Sequence, residues 1–141
     1  MFGTPGGCDS IGMPQKTAPI KVFLAEDSAL MRERVGAMLA ARTMEIVGYA
    51  QTPQGCIEGI LAARPDVVVL DVQLEGGTGL EVLRTVRQTQ PGIEFVVFTI
   101  NAGPAFRKRY LAEGARRFLD KATEFDQLVS SVERVSGLTA S

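Results

Sequence analysis

The sequence contains no histidine and no tryptophan, and only two cysteines among its 141 residues. Without histidine, a Ser-His-Asp triad, a histidine-ligated zinc and a phosphohistidine on this chain are all excluded. Cys8 and Cys56 stand 48 residues apart with no CxxC spacing, too few for a four-cysteine metal site or a disulfide framework. A reducing cytoplasm is therefore the expected compartment. No apolar run approaches the roughly 18 residues that a membrane span needs, and the N-terminus has neither the basic nor the apolar region of a secretion signal. An excess of one charge is missing too, since 15 Lys and Arg face 16 Asp and Glu. That balance describes neither a disordered acidic chain nor a basic nucleic-acid binder. Any chemistry falls to carboxylates, Lys, Ser, Thr or Cys.

What is present is an ordinary globular composition, 45% hydrophobic and 22% charged. The length predicts one domain, with no second, separately folded output domain. Residues 1–19 carry four Gly and three Pro without apolar periodicity and read as a tail ahead of a domain over 20–141. From Ile20 onward, short apolar runs alternate with segments of helical period. The runs are Ile20–Ala25, Glu45–Ala50, Val67–Leu70, Phe95–Thr99 and Arg117–Leu119, rich in the Val, Ile and Phe of buried strands. Met31, Val35, Met38 and Leu39 mark one buried helix stripe, and Phe125, Leu128, Val129 and Val132 another. Thr52 before Pro53, Thr78 with Glu81, and Thr123 with Asp126 read as helix N-terminal caps. The expected fold is α/β, a doubly wound (βα)5 with a five-stranded parallel sheet.

In such a sheet the ligand site lies beyond the carboxyl ends of the strands, where the winding reverses. Glu26 and Asp27 follow the first predicted strand, Asp71 the third, Thr99 ends the fourth, and Asp120 and Lys121 follow the fifth. Each residue alone has an ordinary explanation as a helix cap, a structural Thr or a solvated Lys. Together, four independent strand ends supply compatible groups. Glu26, Asp27 and Asp71 would converge as a like-charge cluster that needs protons or a divalent cation to neutralise it. Oxygen donors without His or Cys favour a hard cation, and Mg²⁺ is the one expected.

The chain from about Lys21 to Gly137 resembles the receiver domain of bacterial two-component response regulators, in its single-domain form. The resemblance rests on VFLAEDS, VVVLDVQLEGGTGLEVL, the FTIN strand end and GARRFLDKATEF, with 44, 28 and 22 residues separating Asp27, Asp71, Thr99 and Lys121. It implies a flavodoxin-like strand order 2-1-3-4-5. It also implies that Asp71 accepts a phosphoryl group from a sensor histidine kinase, a histidine phosphotransfer protein or a small phosphodonor. Asp27, Glu26, Asp71 and the backbone carbonyl of Gln73 would hold Mg²⁺, while Lys121 offsets charge on the transferring group and Thr99 bonds a phosphoryl oxygen. Phe118 falls at the aromatic switch position, whose rotation remodels the face of the fourth helix, fifth strand and fifth helix for a downstream protein target. Phe118 is otherwise an ordinary core aromatic. The resemblance implies a signalling domain that assists its own phosphorylation, not a separate enzyme.

Departures from the family pattern are Glu26 where Asp is commoner, Leu74-Glu75-Gly76-Gly77 after the nucleophile, Ala122 where Pro is frequent, and Ile100 after Thr99. The last predicts a bulkier pocket wall. A haloacid-dehalogenase-type hydrolase would need an Asp two residues after the nucleophile, where Gln73 stands. A flavin-binding module would find its phosphate repelled by Glu26 and Asp27. The reading left beside the phosphorelay is a receiver-fold protein scaffold that is never phosphorylated. Residues 104–121 hold six cations against two acids, a local charge of +4 in a chain of −1. That stretch would dock an acidic partner or serve as a solvated helix face; direct nucleic-acid binding is not expected.

Overall fold

The computed structural model describes residues 19–42 and 44–136. Five strands, β1 (Ile20–Ala25), β2 (Met44–Ala50), β3 (Val67–Leu70), β4 (Glu94–Thr99) and β5 (Arg117–Asp120), form one parallel sheet in the order 2-1-3-4-5. The helices are α1 (Ala29–Ala40), α2 (Pro53–Ala63), α3 (Gly79–Thr89), α4 (Pro104–Ala112) and α5 (Leu128–Val135). The expected doubly wound fold and strand order are therefore present. Strand bounds differ from the sequence reading by one residue at most. The proposed tail, residues 1–19, lies outside the described residues except for Pro19.

The sheet is central because successive side chains of a strand point to opposite faces, and here both faces are covered. Phe23, Val68, Leu70, Phe95 and Val97 face a core with Cys56, Ile60, Val82, Leu83 and Val86 of α2 and α3. Val22, Leu24, Val67, Val69, Val96 and Phe98 face a second core with Val35, Leu39, Leu128 and Val132 of α1 and α5. Both predicted helix stripes lie on that second core, with Met31, Met38, Phe125 and Val129 packed at its margin. The four-residue β3 is wholly buried, as the middle strand of such a sheet must be.

One of the three predicted caps needs correction, and a second holds in position but not in its bond. Thr52 does cap α2, its hydroxyl accepting from the Gly55 N–H at 3.0 Å with Pro53 in the first turn. Thr78 precedes α3 but makes no capping bond; its backbone pairs with Gln73 in a two-residue antiparallel ribbon, Gln73–Leu74 against Gly77–Thr78. Gly76 closes that ribbon at φ 83°, a left-handed conformation that favours glycine. Thr123 does not start α5. The carboxylate of Asp120 accepts from the Ala122 N–H, Glu124 caps the Asp120 N–H, and a 3₁₀ turn over Phe125–Gln127 delays the helix to Leu128. The N-cap of α1 is Ser28, whose hydroxyl accepts from the Met31 N–H.

Candidate functional site

Parallel pairing brings all five strand ends to one edge. Ala25 lies opposite Ala50 and Leu70, and Thr99 opposite Asp120, so the residues that follow them share one shallow crevice. Main-chain bonds tighten the arrangement: the Asp71 N–H donates to Ala25 at 3.0 Å, Glu26 to Ala50 at 3.1 Å, and Lys121 to Thr99 at 3.0 Å. Gly79, first residue of α3, is packed so closely on the Asp71 carbonyl that a Cβ there would collide with it. A glycine is what lets α3 abut the strand end.

Within the crevice, ligand oxygens of Glu26, Asp27 and Asp71 all lie within 4.8 Å of one another. Glu26 and Asp71 are buried and Asp27 is exposed. The Lys121 ammonium, buried as well, donates to Glu26 Oε1 at 2.6 Å and to Asp71 Oδ2 at 2.9 Å. Burial raises the Glu26 carboxyl above its ordinary range, and the Asp71 charge adds to that, against the opposing pull of Lys121. Burial works to lower Lys121, but its bonds to Glu26 and Asp71 outweigh it and leave the ammonium more strongly protonated than usual. Glu26 and Asp71 thus share one buried ammonium, with the Asp27 carboxylate close beside them. The donor set is all oxygen, open on the Asp27 side and short of positive charge, which fits a hard divalent cation.

Thr99 is fully buried at the end of β4, its hydroxyl accepting from the Asn101 N–H at 3.1 Å. Gln73 donates its N–H to Asp71 Oδ1 at 3.4 Å and is exposed, its side-chain oxygen 3.5 Å from the Asn101 amide nitrogen. Ile100 does not form the bulky wall expected of it, because its side chain is 72% exposed. Phe118 is buried behind the site, edge-on to Tyr110 at 6.1 Å between centroids, with the Arg107 guanidinium 5.2 Å above its ring. Burial pushes the Tyr110 hydroxyl up to about 12, so it remains protonated and donates to the Val72 carbonyl at 3.5 Å.

The predicted basic stretch is less free than its sequence suggests. Arg107 pairs with Glu124, Arg109 with Glu113, Arg116 with Glu94, and Lys121 is committed to the crevice. Asn101 and Arg32, which touch site residues, were not singled out from the sequence. Asn101 stands two residues beyond Thr99 and gave a usable signal by position; Arg32 gave none.

A doubly wound sheet with carboxylates, a Thr and a Lys at its carboxyl edge defines the receiver class of flavodoxin-like domains. The family model for the response regulator receiver domain matches residues 22–133, and the chain belongs to that family. It is 32% identical over 117 residues to response regulator GacA of Pseudomonas aeruginosa, covering 82% of this chain and 55% of that protein. It is 28% identical to transcriptional regulatory protein DesR of Bacillus subtilis, covering 82% and 58%. The chain thus spans little more than half the length of these curated relatives. Among solved structures, the receiver domain of the response regulator NarL from Mycobacterium tuberculosis superposes with TM-score 0.80 at 27% identity, covering 85% of this chain and 98% of that one. The response regulator domain of Thermotoga maritima CheB shares the fold, with TM-score 0.77 at 23% identity over 84% and 96% of the two chains. Among the described residues no helix is long and apolar enough to cross a membrane.

Proposed function

We propose that this domain is a phosphorelay receiver in which Asp71 accepts a phosphoryl group and Mg²⁺ sits among Glu26, Asp27, Asp71 and the Gln73 carbonyl. A carboxylate oxygen of Asp71 attacks phosphorus, the bond from phosphorus to the donor's imidazole nitrogen breaks, and an acyl phosphate forms. The cation supplies charge neutralisation for the transferring group. Lys121 keeps one phosphoryl oxygen paired, exchanging its present bond to Asp71 for a bond to that oxygen. Thr99 offers its hydroxyl from the neighbouring strand end, and Phe118 relays the change towards α4, β5 and α5. The donor is a sensor histidine kinase or histidine phosphotransfer protein, the receiver of the signal is a protein target, and the setting is the cytoplasm. The observation that carries this reading is the buried Lys121 bridge to Asp71 and Glu26 beside the three converging carboxylates.

Intact-mass measurement after incubation with Mg²⁺ and acetyl phosphate tests it. The wild type gains one phosphoryl group, Asp71→Asn gains none because a carboxamide is a poor nucleophile, and omission of Mg²⁺ slows the gain sharply. A wild type that stays unmodified by acetyl phosphate and by a panel of histidine kinases, while binding Mg²⁺, is instead an unphosphorylated scaffold.

A further inference from the structure

The backbone of Glu26 is held through both of its polar groups. Its N–H donates to the Ala50 carbonyl at 3.1 Å, and its own carbonyl accepts from Arg32 Nη1 at 2.9 Å. Arg32 lies in the first turn of α1, half-buried, and the same guanidinium stacks on Tyr49, its central carbon 4.8 Å from the ring centroid. Tyr49 is the residue before Ala50. The contacts therefore close a ring that runs from Glu26 to Arg32, Tyr49, Ala50 and back to Glu26. Tyr49 is 63% exposed, so burial contributes little to keeping an aromatic there, and the Arg32 guanidinium lies over its ring.

The short connection between β1 and α1 carries two of the three clustered carboxylates; the Lys121 bridge draws Glu26 toward Asp71, but one ammonium against three carboxylates leaves a residual repulsion across the cluster. Resting on the Mg²⁺ reading above, we propose that Arg32 is a positioning residue for the divalent cation. Through the Glu26 carbonyl and the Tyr49 ring it holds this connection against its own repulsion. The cation then meets carboxylates already assembled and does not have to order them. Arginine suits the role because a planar guanidinium donates along its edge while its face stacks; an ammonium cannot do both.

Titration calorimetry of Mg²⁺ into the full chain, with thermal unfolding in metal-free buffer beside it, tests the role. Arg32→Ala weakens Mg²⁺ binding about tenfold, the scale of lost support behind a ligand, while its metal-free melting midpoint stays near that of the wild type. Arg32→Lys keeps the charge and is weakened as well. Tyr49→Phe, which keeps the ring, binds like the wild type, and Tyr49→Ala binds about threefold more weakly. Wild-type affinity in Arg32→Ala, or in Arg32→Lys, overturns the proposal. If Arg32→Ala fails to fold, Tyr49→Ala decides from the surface: reduced affinity upholds the tether and unchanged affinity overturns it. A wild type that takes up no Mg²⁺, or an Asp27→Ala that binds as well as wild type, refutes the cation site and the tether with it. Loss of binding in Asp27→Ala with none in Arg32→Ala refutes the tether alone.

Discussion

The two edges of the sheet carry similar residues and treat them differently. At the amino edge, Arg64, Asp66, Glu94, Arg116 and Arg134 surround an open cavity of about 660 Å³. There Glu94 meets Arg116 at 3.2 Å with the arginine side chain 55% exposed, and Asp66 accepts from the Lys21 N–H. At the carboxyl edge the side chains of Lys121, Glu26 and Asp71 are each less than a tenth exposed, and carboxylates outnumber the ammonium. Charges in contact with water are screened and nearly neutral to stability. Buried, unbalanced ones hold free energy that a cation or an anionic group can release. A cluster of charges becomes a site through burial and imbalance, and its size has little to do with it.

Three substitutions sharpen or break that contrast. Lys121→Ala should have the largest effect, since it leaves Glu26 and Asp71 buried without their ammonium, a loss of about 3 kcal/mol in denaturant unfolding without metal. Added Mg²⁺ should return part of it. A loss no greater than that from a surface arginine would erase the distinction between the edges.

The next effect is a pH dependence that belongs to the carboxyl edge. Burial holds Glu26 above its ordinary 4.5, so the folded protein binds this proton more tightly than the unfolded chain does. Stability from that group is present below the unfolded value and is lost as pH rises through the raised folded one. Melting midpoints of metal-free protein between about pH 4 and 7 should fall more steeply in wild type than in Glu26→Gln. Parallel curves would show that Glu26 pays no burial penalty. The smallest effect belongs to the amino edge. Arg116→Ala should cost no more than about 1 kcal/mol in the same unfolding assay, and less in high salt.

Much of this architecture was legible because it is written at short range. Alternating faces make Val67–Leu70 a buried strand wherever the chain folds, and a Thr before Pro53 offers a cap to whatever helix follows. The carboxylates could be placed for the same reason, as Glu26 and Asp71 directly follow apolar runs and Asp27 is next to Glu26. Thr78 stands at the N-cap of α3 without the side-chain bond that its spacing to Glu81 suggests, while Thr123 fails as a helix start because the turn there is ruled by Asp120 and Glu124. Ile100 misled because residue size says nothing about the direction in which a side chain leaves a strand end.

By itself the sequence determined the five strands, the two buried stripes and the residues standing at the strand ends, since each depends on periodicity among near neighbours. Only the tertiary structure decided how those ends interact. Lys121 reaches Glu26 across 95 positions and Asp71 across 50, contacts that exist because parallel pairing places β1, β3 and β5 with their carboxyl ends on one edge. The burial of Phe118 under Arg107 and the closed ring through Arg32 and Tyr49 have the same origin. They join groups from separate elements, and no periodic pattern along the chain records which of the many polar side chains will find a carbonyl or a ring within reach.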